Sequence, residues 1–326
     1  MERRGARLAA THAGERRVID VVVPHNALVA EMGVLPPTMR LILVEPDAVP
    51  GSAEVVVFGA ELRHLLPVLG DIDGLRVVQT LNAGVEWLLP LVPPGVTLCN
   101  ASGVHDGPVA EWVVAMILAM ERRLLRFVVA QGERHWDASG NALTTAPDEI
   151  EADDLDGKRV LVVGHGSIGR AVEARLEPFG ATVVGVASRA RDGARGPESL
   201  PDLLPDADVV VLLAPLTDST RGMVDAGFLT RMRDGALFVN AARGAMVDHD
   251  ALESELRSGR LRAVLDVTEP EPLPAEHSLW TAPNLFITPH VAGTSRRWKI
   301  RAYRFVGEQL RRDAAGEQLL NVRTDY

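Results

Sequence analysis

Three residue types that can hold a carboxylate or move a proton each follow a short run of β-branched and aliphatic residues. Phe238-Val-Asn-Ala-Ala-Arg243 presents Arg243, Val264-Leu-Asp-Val-Thr-Glu-Pro-Glu271 presents Asp266 and Glu271, and Ile287-Thr-Pro-His290 presents His290. In a doubly wound parallel sheet, residues just past the carboxyl ends of the strands face the ligand crevice. Arginine offers a planar fork that fits a carboxylate, and histidine can give and take a proton near neutral pH. A carboxylate hydrogen-bonded to that histidine would favour its imidazolium form. Singly, each of these residues is more often a surface or structural group. Three strand ends beside one another make them a candidate set.

A fourth run, Arg159-Val-Leu-Val-Val163, leads into Gly164-His-Gly-Ser-Ile-Gly169 and then into a helical pattern that Gly180 can stop. A strand, G-x-G-x-x-G and a helix in that order form the context of a dinucleotide-binding turn. Gly164 permits the tight turn, Gly166 lets backbone approach a pyrophosphate, and Gly169 lets helix pack on strand. His165, Ser167 and Ile168 fill the rest of this cofactor site, His165 as a packing residue, and the helix N-terminus offers N–H groups and a positive dipole end to the phosphates.

The next strand chooses the dinucleotide. An acidic residue usually binds the ribose 2′-hydroxyl of NAD about 20 residues on, whereas arginine accommodates a 2′-phosphate. Here the strand end reads Ala187, Ser188, Arg189, Ala190, Arg191. The expected cofactor is therefore NADP(H) in preference to NAD(H). Two solvated surface arginines beside an NAD site remain the alternative.

The elements that position these residues alternate strand and helix almost from end to end, the pattern of βαβ units. Strands are predicted at 18–23, 41–44, 54–58, 76–80 and 96–99, with helical segments at 27–32, 61–68 and 85–91. A second series runs 159–163, 182–186, 208–213, 236–240, 262–266 and 285–287. One long buried helix over 109–130 precedes it, and another over 295–312 follows, so the chain should enter the second unit on one helix and leave on the other. Residues 132–157 show little periodicity, and the arginine-rich start, Met1 to Arg17, reads as a disordered tail.

The chain has 326 residues, about two domains' worth. Acidic residues exceed basic ones by 44 − 34 = 10, which argues against a field that would draw in nucleic acid or an anionic membrane. No apolar run reaches the roughly 20 residues that span a bilayer. Cys99 is the one cysteine, so neither an internal disulfide nor a cysteine-based zinc site is available and no metal is expected; a cytoplasmic location is the expectation.

Taken together, these stretches resemble the D-isomer-specific 2-hydroxyacid dehydrogenase family, which includes glyoxylate/hydroxypyruvate reductases and phosphoglycerate dehydrogenases. Further matching segments are Gln79-Thr-Leu-Asn-Ala-Gly-Val85, Asn100-Ala-Ser-Gly-Val-His105 with Val109-Ala-Glu111, and Ala214-Pro-Leu-Thr217. The resemblance implies an α/β fold of two Rossmann-like or flavodoxin-like doubly wound domains with the active site in the cleft between them. Residues 1–106 with 294–326 would bind substrate, and 107–293 the dinucleotide. It further implies that Arg243 binds the substrate carboxylate, that His290 is the general acid/base and that Glu271 is its partner. Asn82, Ala83, Gly84 and His105 would meet the substrate. Ala214, Pro215, Thr220, Ala241, Ala242, Arg243, Asp266, His290 and Gly293 would join the glycine turn around the cofactor. A homodimer through the 109–130 region is the expected partner.

Three residues near the histidine have open readings. Trp280 walls the pocket or packs elsewhere, and Arg296 with Arg297 binds a second anionic group or sits on the surface. The expected activity is hydride transfer from NADPH to a small 2-oxo acid such as glyoxylate or hydroxypyruvate, with His290 as proton donor. A 3-phosphoglycerate dehydrogenase and a non-catalytic NAD(P)-sensing corepressor are the alternatives.

Overall fold

The strand runs pair in parallel because their side chains are apolar on both faces, a pattern stable only when helices cover both sides of a sheet. A computed structural model describes residues 18–324 except 46, 142, 144, 147, 148 and 192. The predicted N-terminal tail lies outside the described residues.

Along the chain the strands are β1 (Ile19–Pro24), β2 (Met39–Val44), β3 (Val55–Phe58), β4 (Val77–Thr80) and β5 (Thr97–Cys99), then β6 (Arg159–Val163), β7 (Thr182–Val186), β8 (Val209–Leu212), β9 (Leu237–Asn240), β10 (Arg262–Leu265), β11 (Leu285–Ile287) and β12 (Val322–Arg323). The α-helices are α1 (Asp106–Glu121), α2 (Leu124–Gly132), α3 (Ser167–Leu176), α4 (Leu200–Leu203), α5 (Ala226–Arg231), α6 (His249–Arg257) and α7 (Trp298–Ala314). One sheet has the order β12-β5-β4-β3-β1-β2 and the other β11-β10-β9-β8-β6-β7. The fold is thus two α/β units, each with a doubly wound parallel sheet.

The first unit takes the chain to Leu81, Leu91–Cys99 and Tyr303–Val322; the second takes Asn82–Pro90 and Asn100–Ala302. Strand β12, absent from the sequence reading, extends the first sheet beside β5. The buried Gln309 of α7 ties these parts together. Its Nε2 donates to Gln79 Oε1 on β4 and to the Leu320 carbonyl, both at 2.9 Å, and its Oε1 accepts from Leu320 N.

In the second unit the period of two along the strands sorts side chains between two layers. Val160, Val162, Val209, Val211, Leu237 and Val239 pack with Val109, Val113, Ile117 and Met120 of α1. Leu161, Val163, Val210, Leu212 and Phe238 face the opposite layer with Leu200, Leu229, Leu252 and Leu256. The order β8-β6-β7 means the chain reverses direction beside β6, so the ends of β6 and β8 flank the switch point where such sheets bind ligands.

Two helical expectations need correction. The helix over 109–130 is two helices, parted at Arg122–Arg123, with Arg123 in the left-handed region at φ 52°. The helical segments at 27–32 and 60–71 are of the 3₁₀ type, the latter containing Pro67, whereas the segment over 85–91 is helical only at Leu89–Leu91. A proline inside such a segment removes a donor and crowds the preceding turn.

Gln309→Leu leaves Gln79 Oε1 and both Leu320 backbone groups without their buried partner. We expect a loss of about 2–4 kcal/mol, from roughly 1–3 kcal/mol per stranded polar group, seen as a lower urea midpoint of the first unit.

Candidate functional site

The glycine turn is built as its residues require. Gly164 has φ +104°, and a Cβ there would lie 2.2 Å from Ala214 N, so only glycine lets the end of β6 approach the end of β8. Beside Gly166 there is open space, at the start of α3 where the first N–H groups lack helical acceptors. The residues present therefore fit a dinucleotide pyrophosphate. Ser167 Oγ donates to Asp106 Oδ1 at 3.0 Å, joining the starts of α3 and α1.

His165 is buried. Its Nε2 meets Glu173 Oε2 at 2.7 Å, and its ring covers Gly185 of β7, where a Cβ would come within 2.4 Å of it. At the end of β7, Ala187 is buried while Ser188, Arg189 and Arg191 are exposed. Arg191 Nη2 donates to the His165 carbonyl at 2.5 Å, which holds that guanidinium against the glycine turn. Arg189 forms no ion pair among the described residues. Past β8, Thr220 Oγ1 donates to the Pro215 carbonyl at 2.7 Å and closes the loop that begins at Ala214.

A cavity of about 370 Å³ opens at the strand ends of the second unit. Asn82, Ala83, Gly84, His105, Ile168, Ala241, Arg243, Asp266, His290 and Gly293 all line it. Ala242 and Glu271 lie next to lining residues: Ala242 supplies a carbonyl to Arg243 Nη1 at 2.7 Å, and Glu271 Oε1 meets His290 Nδ1 at 2.7 Å.

Asp266 organises the histidine. Its buried carboxylate accepts from Thr288 Oγ1, Val291 N and Ala292 N at 2.6–2.9 Å, and its carbonyl accepts from His290 N at 2.7 Å. His290 sits at φ +54°, a region costly for a residue with a side chain. These bonds hold it there. On the neighbouring strand end, the Asn240 side chain donates to the Arg243 carbonyl and accepts from Ala242 N.

Arg243 itself reaches Glu86. Its Nε donates to Glu86 Oε1, and its Nη2 fills the space over Gly84, where a Cβ would fall 1.8 Å from it. Glu86, Trp87, Val109 and Trp298 line the cavity and were not anticipated as site residues. For Glu86 the signal was its place two residues past the Asn82–Gly84 loop. The open readings around the histidine close on the bland side. Trp280 is exposed, donates to the Pro274 carbonyl and does not line the cavity, and Arg296 and Arg297 are exposed and outside it.

His105 stacks on Trp298 at 5.2 Å between ring centroids, with Nδ1 3.2 Å from the Gly293 carbonyl. A carbonyl only accepts, so Nδ1 carries the proton and Nε2 is an acceptor. Burial pushes its pKa below the usual 6.5, the Gly293 carbonyl opposing this in part. Among the described residues no cluster of histidine, cysteine or carboxylates could hold a metal ion.

Residues 114–292, more than half of the chain, match the family model described as D-isomer specific 2-hydroxyacid dehydrogenase, NAD binding domain. The chain is 32% identical over 255 residues to the chloroplastic/mitochondrial formate dehydrogenase of Arabidopsis thaliana, covering 74% of this chain and 64% of that one. It is 31% identical over 232 residues to the human glyoxylate reductase/hydroxypyruvate reductase, covering 68% and 69%. Among solved structures, the NADPH-dependent glyoxylate/hydroxypyruvate reductase of Sinorhizobium meliloti, in complex with NADP and sulfate, superposes with a TM-score of 0.76 at 25% identity, covering 94% of this chain and 98% of that one. Fold and site define a dinucleotide-binding α/β protein with a histidine–carboxylate pair. The chain belongs to the D-isomer-specific 2-hydroxyacid dehydrogenase family, whose members are NAD(P)-dependent oxidoreductases acting on 2-hydroxy acids.

The lowered pKa of His105 sets a pH dependence. Below pH 6.5 the unfolded chain takes up the proton before the folded one does, so this group's contribution to stability is lost as pH falls through the folded pKa. His105→Gln should flatten the acid side of a stability-against-pH curve, and the His105 ring resonances should titrate below 6.5. A midpoint above that value would contradict burial as the dominant influence on this ring.

Proposed function

We propose that this protein is a reductase of small 2-oxo acids, with glyoxylate or hydroxypyruvate as substrate and NADP(H) preferred over NAD(H). The observation that carries the reading is the 2.7 Å bond between His290 Nδ1 and Glu271 on the cavity that also holds Arg243 and the Ile168 end of the glycine turn. With Nδ1 engaged, Nε2 is the atom that gives its proton to the 2-carbonyl oxygen during reduction and takes it back during oxidation. Arg243 holds the substrate carboxylate through its remaining N–H groups, and the Asn82–Gly84 loop and His105 close on the same small acid.

When bound, NADPH supplies the hydride. Gly164, Gly166 and Gly169 with the start of α3 would hold its pyrophosphate, and Ala214, Pro215, Thr220, Ala241, Ala242 and Gly293 would flank the rest. Ser188, Arg189 and Arg191 would receive the 2′-phosphate, a reading supported by the missing carboxylate at Ala187 and the exposure of the two arginines. Residues 1–106 with 294–326 would serve the substrate and 107–293 the dinucleotide. We further propose a cytoplasmic homodimer through the 109–130 region, supported by the exposed Leu124, Phe127, Val128 and Val129 on α2.

His290→Ala should lower kcat by roughly 10²-fold or more, the range for loss of a general acid, while NADPH binding followed by its fluorescence persists. Unchanged turnover would sink the assignment. Arg189→Ala should raise KM for NADPH by roughly tenfold and leave NADH nearly untouched, as expected for one charge-assisted phosphate contact. A wild-type enzyme that turns over NADH more efficiently than NADPH would reverse the cofactor reading.

A further inference from the structure

The cavity carries an unusual balance of charge for a site that takes an anion. Among the described lining residues Arg243 is the only guanidinium and there is no lysine, whereas Glu86 and Asp266 contribute two carboxylates. Asp266 is spent internally, since its oxygens accept from Thr288, Val291 and Ala292. Glu86 is different. It is partly exposed, it lines the cavity, and its ion-pair partner among the described residues is the Nε of Arg243.

Geometry shows what that contact does to the arginine. A guanidinium has five N–H groups. Nε is taken by Glu86, Nη1 gives one bond to the Ala242 carbonyl, and Nη2 is pressed over Gly84. The point where a Gly84 Cβ would stand lies 3.3 Å from Glu86 Oε2 as well, so both ends of the ion pair converge on the loop. The fork is fixed in one rotamer, with N–H groups left for one carboxylate. The Nε edge, which could anchor a second anionic group, is occupied.

The other walls offer an anion little. Trp87, Val109, Ile168, Ala292 and Trp298 are apolar over most of their surface. His105, with its proton on Nδ1 facing Gly293, turns an acceptor rather than a cation to any ligand that reaches it. Arg296, Arg297, Lys299 and Arg301, the cations that follow the histidine in sequence, do not line the cavity, although Lys299 lies over Trp298 and Arg301 acts on His105.

We propose that Glu86 is a positioning and specificity-determining residue: its carboxylate locks the Arg243 guanidinium for one substrate carboxylate and, as a fixed negative charge in the cavity, restricts the site to 2-oxo acids bearing a single negative charge. The proposal rests on the reading of this cavity as the 2-oxo acid site. It separates neutral side chains, such as the hydroxymethyl group of hydroxypyruvate, from second carboxylates and phosphate esters. Like charges brought together in a partly desolvated site repel strongly, so discrimination appears mainly in KM.

The experiment compares wild type, Glu86→Gln and Glu86→Asp with NADPH, using glyoxylate and hydroxypyruvate as monoanions and oxaloacetate and ketomalonate as dianions. Wild type should favour the monoanions by about 100-fold in kcat/KM, the scale of one unscreened like-charge contact. Glu86→Gln should shrink that ratio by about tenfold or more, chiefly by lowering KM for the dianions, and Glu86→Asp should restore most of it. Equal handling of both sets by wild type, or a proportional loss on both in Glu86→Gln, would overturn the proposal. If wild type reduces no 2-oxo acid with either nicotinamide, the functional reading fails. Tryptophan fluorescence, with Trp87 and Trp298 as reporters, then decides separately on glycerate against tartronate. Tighter glycerate binding that Glu86→Gln abolishes supports charge selection, and equal binding refutes it.

Discussion

The buried carboxylate of Asp266 at the end of β10 is the constraint on which the histidine depends. Three donors from the segment 288–292 converge on its two oxygens, and its carbonyl takes a fourth from His290 N. Without that convergence, nothing would favour the left-handed backbone of His290 over its extended alternatives. With it, the imidazole is directed to Glu271 on one nitrogen and left with the other for chemistry. A buried charge is tolerated only when its hydrogen bonds are made, and here the bonds that satisfy Asp266 are the bonds that place the catalytic candidate.

The same economy operates at the neighbouring strand end. Asn240, fully buried at the end of β9, accepts from Ala242 N and donates to the Arg243 carbonyl, and so fixes the departure of the chain toward Arg243. Side chain to backbone bonds of this kind replace the sheet ladder where the strand stops. The result is a set of reactive groups on strand ends rather than on long loops, the placement that holds geometry most tightly.

Much of this was legible in the residues. Runs such as Val160–Val163 and Val209–Leu212 are apolar without alternation, and that pattern is what a strand buried on both faces requires. The glycine turn was legible because each glycine has a separate steric task. What failed to show did so for physical reasons. Arg122 and Arg123 look like the polar end of one helix, and nothing in their chemistry announces a left-handed residue from which a second helix starts. Strand β12 is too short for periodicity. Glu86 carries no local signature beyond its place two residues past the Asn82–Gly84 loop, because its meaning comes from Arg243, 157 positions away in sequence. Trp280 stayed open because nearness in sequence to His290 does not fix where its indole points, which is to Pro274.

The placement of β12 beside β5, and of Gln309 between β4 and Leu320, has a consequence for how the chain is made. A ribosome delivers β1 to β5 first, and the helix and strand that complete that unit, α7 and β12, follow only after the long region Asn100–Ala302 has been made. The region from Asn100 to Ala302 is contiguous and buries its own core, so it can condense while its successor is still being synthesised. During that interval the edge of β5 is an open template for other strands. Strand β12 and the Gln309–Leu320 contact therefore act as a late seal, and changes there would expose the nascent protein to misassembly long before they touched its chemistry.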